Sequence, residues 1–79
     1  MLTKAQHAGR YTPVLRLFRR LRTDAGLTQR HVGERIGRPQ SWVHNCETGN
    51  RRVDIAEFCD WCRACGVEPE AAFRRLLRG

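Results

Sequence analysis

The stretch from Gly26 to Arg52, GLTQRHVGERIGRPQSWVHNCETGNRR, decides how this chain folds. Thr28 can cap a helix over Gln29–Ile36, whose apolar positions are Val32 and Ile36, and Gly37 closes it. Pro39 opens a second helix that runs to about Thr48, with Gly49 after it. Two short helices around a glycine turn, with Gly33 in the middle of the first, are what closely crossing helices require. At about 100° per residue, Gln40, Ser41, His44, Asn45 and Thr48 fall within about 140° of arc on the second helix. Val43 and Cys46 point the other way. One face is thus wholly hydrogen-bonding and uncharged, and the other packs. An ordinary solvent face would carry lysine and glutamate. This face suits a helix lying in a major groove.

Outward from this motif, punctuation marks three more helices. Upstream, Thr12-Pro13 is a start signal, and Val14, Leu17, Phe18, Leu21 and Ala25 recur at helical spacing before Gly26. Arg16, Arg19 and Arg20 are expected to face outward. Downstream, Asp54 and Glu57 have capping-box spacing and start a fourth helix ending at Gly66. Pro69 starts a fifth, whose Ala72, Phe73, Leu76 and Leu77 can face the core. Nothing alternates with a period of two, so the expectation is all-α: one compact five-helix domain over residues 12–79. The motif occupies residues 29–48, the recognition helix about 39–48, and a flexible basic arm residues 1–11.

Charge points the same way. Residues 1–53 carry eleven basic side chains against three acidic ones, a net of +8, and residues 54–79 carry four against five, a net of −1. A basic first part suits a polyanion, beside a part that packs or dimerises. No apolar run approaches the roughly 20 residues of a membrane span, and the N-terminal stretch has no apolar signal core. A cytoplasmic, nucleoid-associated protein with reduced thiols is therefore expected.

The motif resembles the Cro-like phage-repressor family, the xenobiotic-response-element type of transcriptional regulator. Gly-Leu-Thr-Gln, the turn glycine, Gln40-Ser41, Val43 and Glu47-Thr48-Gly49 followed by Arg51 and Arg52 match its pattern together, and the likeness covers about residues 14–77. The resemblance implies a lambda-repressor-like five-helix fold, dimeric binding to operator DNA and transcriptional regulation. It implies that Gln29 bonds a DNA phosphate and that Gln40, Ser41, His44 and Asn45 face base edges. Arg22 and Glu47 match an arginine–glutamate pair tying the first helix to the end of the third. Arg38 stands where relatives are usually apolar, and is assigned to a phosphate with Thr48, Arg51 and Arg52. Asn45 stands where many relatives carry lysine or arginine, and its amide offers adenine a bidentate partner. Trp42 lies at the boundary of the two faces, more suited to packing than to touching DNA.

Cys59, Cys62 and Cys65 lie within about 120° of arc in the stripe of Ile55, Phe58 and Trp61. They read as small core hydrophobes and not as metal ligands. No catalytic constellation and no cofactor motif is present, so an enzyme is not expected. The leading function is a small (auto)repressor binding a palindromic operator as a homodimer. Two alternatives stand beside it: an antitoxin or defence-system subunit binding a protein partner through helices four and five, and a thiol or metal sensor. Trp61 and Phe73 are candidate dimer contacts.

Overall fold

A computed structural model describes residues 4–79, with side chains from Gly9 onward. Five helices follow one another: α1 (Lys4–Asp24), α2 (Gln29–Ile36), α3 (Gln40–Thr48), α4 (Ile55–Ala64) and α5 (Pro69–Arg78). Among the described residues there is no strand, and no helix is long and apolar enough to cross a membrane.

α1 starts well before the Thr12-Pro13 signal, so Pro13 lies inside it. An internal proline cannot donate to the carbonyl four residues back, here that of Gly9, and normally costs about 3 kcal/mol. Tertiary contacts hold the turn that precedes it. The Tyr11 hydroxyl accepts from the Val53 amide at 3.1 Å, and the Arg52 guanidinium lies 5.2 Å from the Tyr11 ring centroid. Of the arm expected over residues 1–11, residues 1–3 lie outside the described residues, while 4–11 form the first turns of α1.

The helix-turn-helix has the expected punctuation, with α2 between Thr28 and Gly37 and α3 between Pro39 and Gly49. Gly37 and Gly49 take φ of +82° and +84°, the left-handed region where a Cβ is disfavoured. Gly33 is demanded for a different reason. A Cβ placed on it would lie 2.5 Å from the carbonyl oxygen of Arg38, in the turn that α2 packs against. The Gly33 carbonyl also accepts from the Gly37 and Arg38 amides, both at 2.8 Å, which fixes that turn.

The core sits where all five helices meet: Leu17, Phe18, Leu21, Val32, Trp42, Val43, Cys46, Trp61, Cys62, Cys65 and Ala72. Phe18 and Trp61 form its centre, with ring centroids 4.6 Å apart. Trp61 is completely buried, and its Nε1 donates to the Phe18 carbonyl at 3.2 Å. It is therefore removed as a candidate dimer contact. α5 buries Ala72 and half-buries Leu76, but Phe73 is 50% and Leu77 70% exposed. Its apolar stripe is wider than the side that meets α1 and α4. Ile55, at the start of α4, is 80% exposed as well. The cysteines are core residues: Cys46, Cys62 and Cys65 are buried and Cys59 half-buried.

Candidate nucleic-acid interface

α3 carries the face expected of it. Gln40, Ser41 and His44 are exposed and Asn45 is half-buried, while Val43 and Cys46 are fully buried on the opposite side. No side chain caps the helix start at Pro39, so its first amides are turned toward the same open end as Gln40 and Ser41. Farther along, Asn45 Oδ1 accepts from Asn50 Nδ2 at 3.3 Å, which orients the Asn45 amide and leaves its NH₂ to donate outward. The Thr48 hydroxyl donates to the His44 carbonyl at 3.0 Å. It retains only lone pairs for other partners, which weakens its expected service as a phosphate donor.

Behind this face, one buried carboxylate joins three helices. The Glu47 side chain is fully buried, and its two oxygens accept from Arg22 Nε at 2.5 Å and Arg22 Nη2 at 3.0 Å. This is the bidentate fork that a planar guanidinium makes best. Arg22 Nη1 donates onward to the Leu27 carbonyl at 3.0 Å, at the approach to α2. Gln29 Nε2 donates to Glu47 Oε1 at 3.1 Å, and Arg19 Nε lies 3.7 Å from the same oxygen. The bond to Glu47 raises the Arg22 pKa above its ordinary value, so Arg22 is a permanent cation. The pair expected of Arg22 and Glu47 is thus present. Gln29 belongs to the same network, an arrangement its position as a helix's first residue did not reveal.

Arg38 and Arg51 come together from the two sides of α3. Arg38 Nη2 lies 3.6 Å from Glu57 Oε2 and Arg51 Nη1 3.1 Å from Glu57 Oε1. Their guanidinium carbons lie 4.9 and 5.0 Å from the Trp42 ring centroid. The bond from the Asp54 amide, then that from Arg51, holds the Glu57 carboxyl below its usual range. Trp42 is 8% exposed, so it packs as expected, with these two cations as part of its surroundings. Arg52 stands apart, exposed beside Tyr11.

Sequence reasoning missed three contributors. His31 completes a capping box: its amide donates to Thr28 Oγ1 at 3.1 Å, and its Nδ1 accepts from the Thr28 amide at 3.3 Å. The signal was the spacing itself, with imidazole in place of the usual carboxylate. Arg35 Nη1 donates to the Ala64 carbonyl at 2.7 Å, tying α2 to the end of α4. Glu57 was noted only as a helix start. Cys62 and Cys65 give the site no reactive thiolate. Burial pushes the Cys62 and Cys65 thiols up to about 11, so both are protonated and poorly nucleophilic near neutral pH.

Comparison with known proteins agrees with this geometry. A family model described as a helix-turn-helix domain matches residues 15–77. The solved structure of an XRE-family like protein from Pseudomonas syringae pv. tomato str. DC3000 is similar at 41% identity and a TM-score of 0.84, over 95% of this chain and 92% of that one. No curated protein matches the chain.

Proposed function

Because the chain belongs to the XRE/Cro-like helix-turn-helix family, DNA-binding regulators by fold, we propose that it is a small repressor that reads a palindromic operator as a homodimer. One observation carries the reading. Gln40, Ser41 and His44 stand exposed in a row on α3, and the buried Glu47 network braces that helix from behind. Gln40, Ser41, His44 and Asn45 read base edges. Gln29, Arg38, Arg51 and Arg52 grip phosphates, with Thr48 an accessory contact through a bridging water, since its own proton goes to the His44 carbonyl. One amide hydrogen of Gln29 goes to Glu47, which leaves the second to donate to a phosphate.

The dimer follows from how little one copy can read. α3 has nine residues, about 14 Å at 1.5 Å each. Base pairs stack every 3.4 Å, so this helix reads about four. A site that short recurs on the order of once in a few hundred base pairs, far too often for regulation. Two copies on half-sites about 34 Å apart remove that ambiguity. Phe73 and Leu77 on α5 and Ile55 on α4 supply exposed apolar surface for the second copy. Sedimentation of the protein with a selected operator is expected to show two copies per site. One copy per site would overturn the dimer and leave Phe73, Leu77 and Ile55 to a different protein, the partner anticipated for helices four and five.

Reading and gripping separate experimentally. Fragments selected from random DNA by the purified protein give the operator, and titrations then compare it with unrelated duplex. Gln40→Ala is expected to lose roughly 1–3 kcal/mol on the operator, the worth of one good bidentate base contact, with unrelated DNA nearly unchanged. Gln29→Ala should weaken both, because a phosphate carries no sequence information. A folded Gln40→Ala protein with full discrimination would remove this residue from the reading face.

A further inference from the structure

Arg38 and Arg51 come from opposite ends of α3, yet their guanidiniums meet at one place. Two cations converging on one locus repel each other unless something holds them. Two groups do so here. Glu57 places one carboxylate oxygen against each arginine, at 3.6 and 3.1 Å. The Trp42 ring lies within 5.0 Å of both guanidinium carbons. Glu57 is itself anchored, since its Oε1 accepts from the Asp54 amide at 3.0 Å and its own amide donates to Asp54 Oδ1 at 2.7 Å. Arg51 is fixed from its backbone too, its amide donating to the Asn45 carbonyl at 3.2 Å.

The cluster keeps a net positive charge, two guanidiniums against one carboxylate. The Arg38 and Arg51 side chains are still 47% and 37% exposed, so both forks present hydrogens outward. Trp42 is an odd choice for packing alone. Its Nε1 is buried with no hydrogen-bond partner, which is unfavourable and which phenylalanine would avoid. What tryptophan adds is the ring face that attracts cations most strongly.

We propose that Arg38, Arg51, Trp42 and Glu57 form a preassembled clamp for a DNA phosphate beside the recognition helix, with Trp42 and Glu57 as positioning residues. The clamp rests on the DNA-binding reading above and deepens it. Glu57 and Trp42 touch no DNA. They remove, before DNA arrives, much of the rotamer freedom that two arginines would otherwise lose on binding.

Electrostatics alone gives the opposite expectation, which makes the test sharp. A carboxylate near DNA repels phosphates, so Glu57→Gln should tighten binding and steepen the salt dependence if charge were all that mattered. The clamp predicts looser binding, about five-fold, on operator and unrelated duplex alike. Glutamine still suits the capping-box position, so the fold is kept. In an Arg38→Gln, Arg51→Gln background, Glu57→Gln should no longer weaken binding. A second variant, Arg38→Lys with Arg51→Lys, keeps both charges but loses the planar forks and is expected to weaken binding at least as much. The side-chain Nε–H signals of Arg38 and Arg51 should be ordered in the free protein by NMR relaxation and mobile in Glu57→Gln. Tighter binding by Glu57→Gln, or wild-type binding by the double lysine variant, overturns the clamp while the DNA reading stands. A wild-type protein with no salt-dependent affinity for any duplex overturns both.

Discussion

Gly33→Ala is expected to lower stability by about 2–3 kcal/mol, although alanine is the better helix former by about 1 kcal/mol. The two effects have opposite signs, and geometry decides between them. The new methyl would stand 2.5 Å from the Arg38 carbonyl oxygen, a backbone atom with no rotamer to yield. That part of the turn is held by the two amides that donate to the Gly33 carbonyl, so relief requires α2 to move away from the turn. Val43 lies 3.5 Å from the same methyl position, and a shift there reaches the underside of the recognition helix. For a domain of this size 1 kcal/mol corresponds to roughly 4–8 °C, so the thermal midpoint should fall by roughly 10–20 °C. Circular dichroism melting checks this. A midpoint equal to or above that of the wild type would show that the turn has slack.

Glu47→Ala is the second large effect, and its origin is charge. The carboxylate is fully buried, and Arg22 beside it is only 15% exposed. Removing the carboxylate of such a pair leaves its cation in a poor solvent, which typically costs about 3–5 kcal/mol. Arg19 and Gln29 lose the same acceptor. Urea unfolding should therefore show a loss in that range, with little native protein left if the starting stability is modest. Replacing both charges together, Arg22→Met with Glu47→Leu, should cost much less than Glu47→Ala alone, because no buried charge is then stranded and only the neutral Gln29 amide and Leu27 carbonyl lose a partner. A Glu47→Ala loss below about 1 kcal/mol would mean that the three-helix junction stands without its ion pair.

How legible these features were depended on how local their causes are. α2, α3 and the Asp54–Glu57 start of α4 were readable because glycine, proline and capping residues act on their immediate neighbours. The Arg22–Glu47 pair spans much of the sequence, and only the family resemblance announced it. Pro13 misled for the complementary reason: its local rule is sound, but Val53 and Arg52 act on Tyr11, in the preceding turn, from far along the chain. Phe73 and Leu77 had the same helical spacing as Ala72 and Leu76, and spacing cannot tell how wide a neighbour's surface is. The convergence of Arg38 and Arg51 was equally hidden. Each looked like an independent basic residue beside a helix, and only the position of Glu57 and Trp42 in space makes them a pair.

Among the described residues, the side chains of Gln40 and Ser41 hold nothing else in place, whereas Glu47, a few positions along the same helix, anchors three helices. Substitutions at the first two can therefore accumulate in a lineage without passing through unfolded intermediates. A diverging copy of such a gene could change the target it recognises while inheriting the same scaffold, one exposed residue at a time. Glu47 and Gly33 have no such freedom, and descendants that lose either would have to be repaired elsewhere before selection could act on what they read.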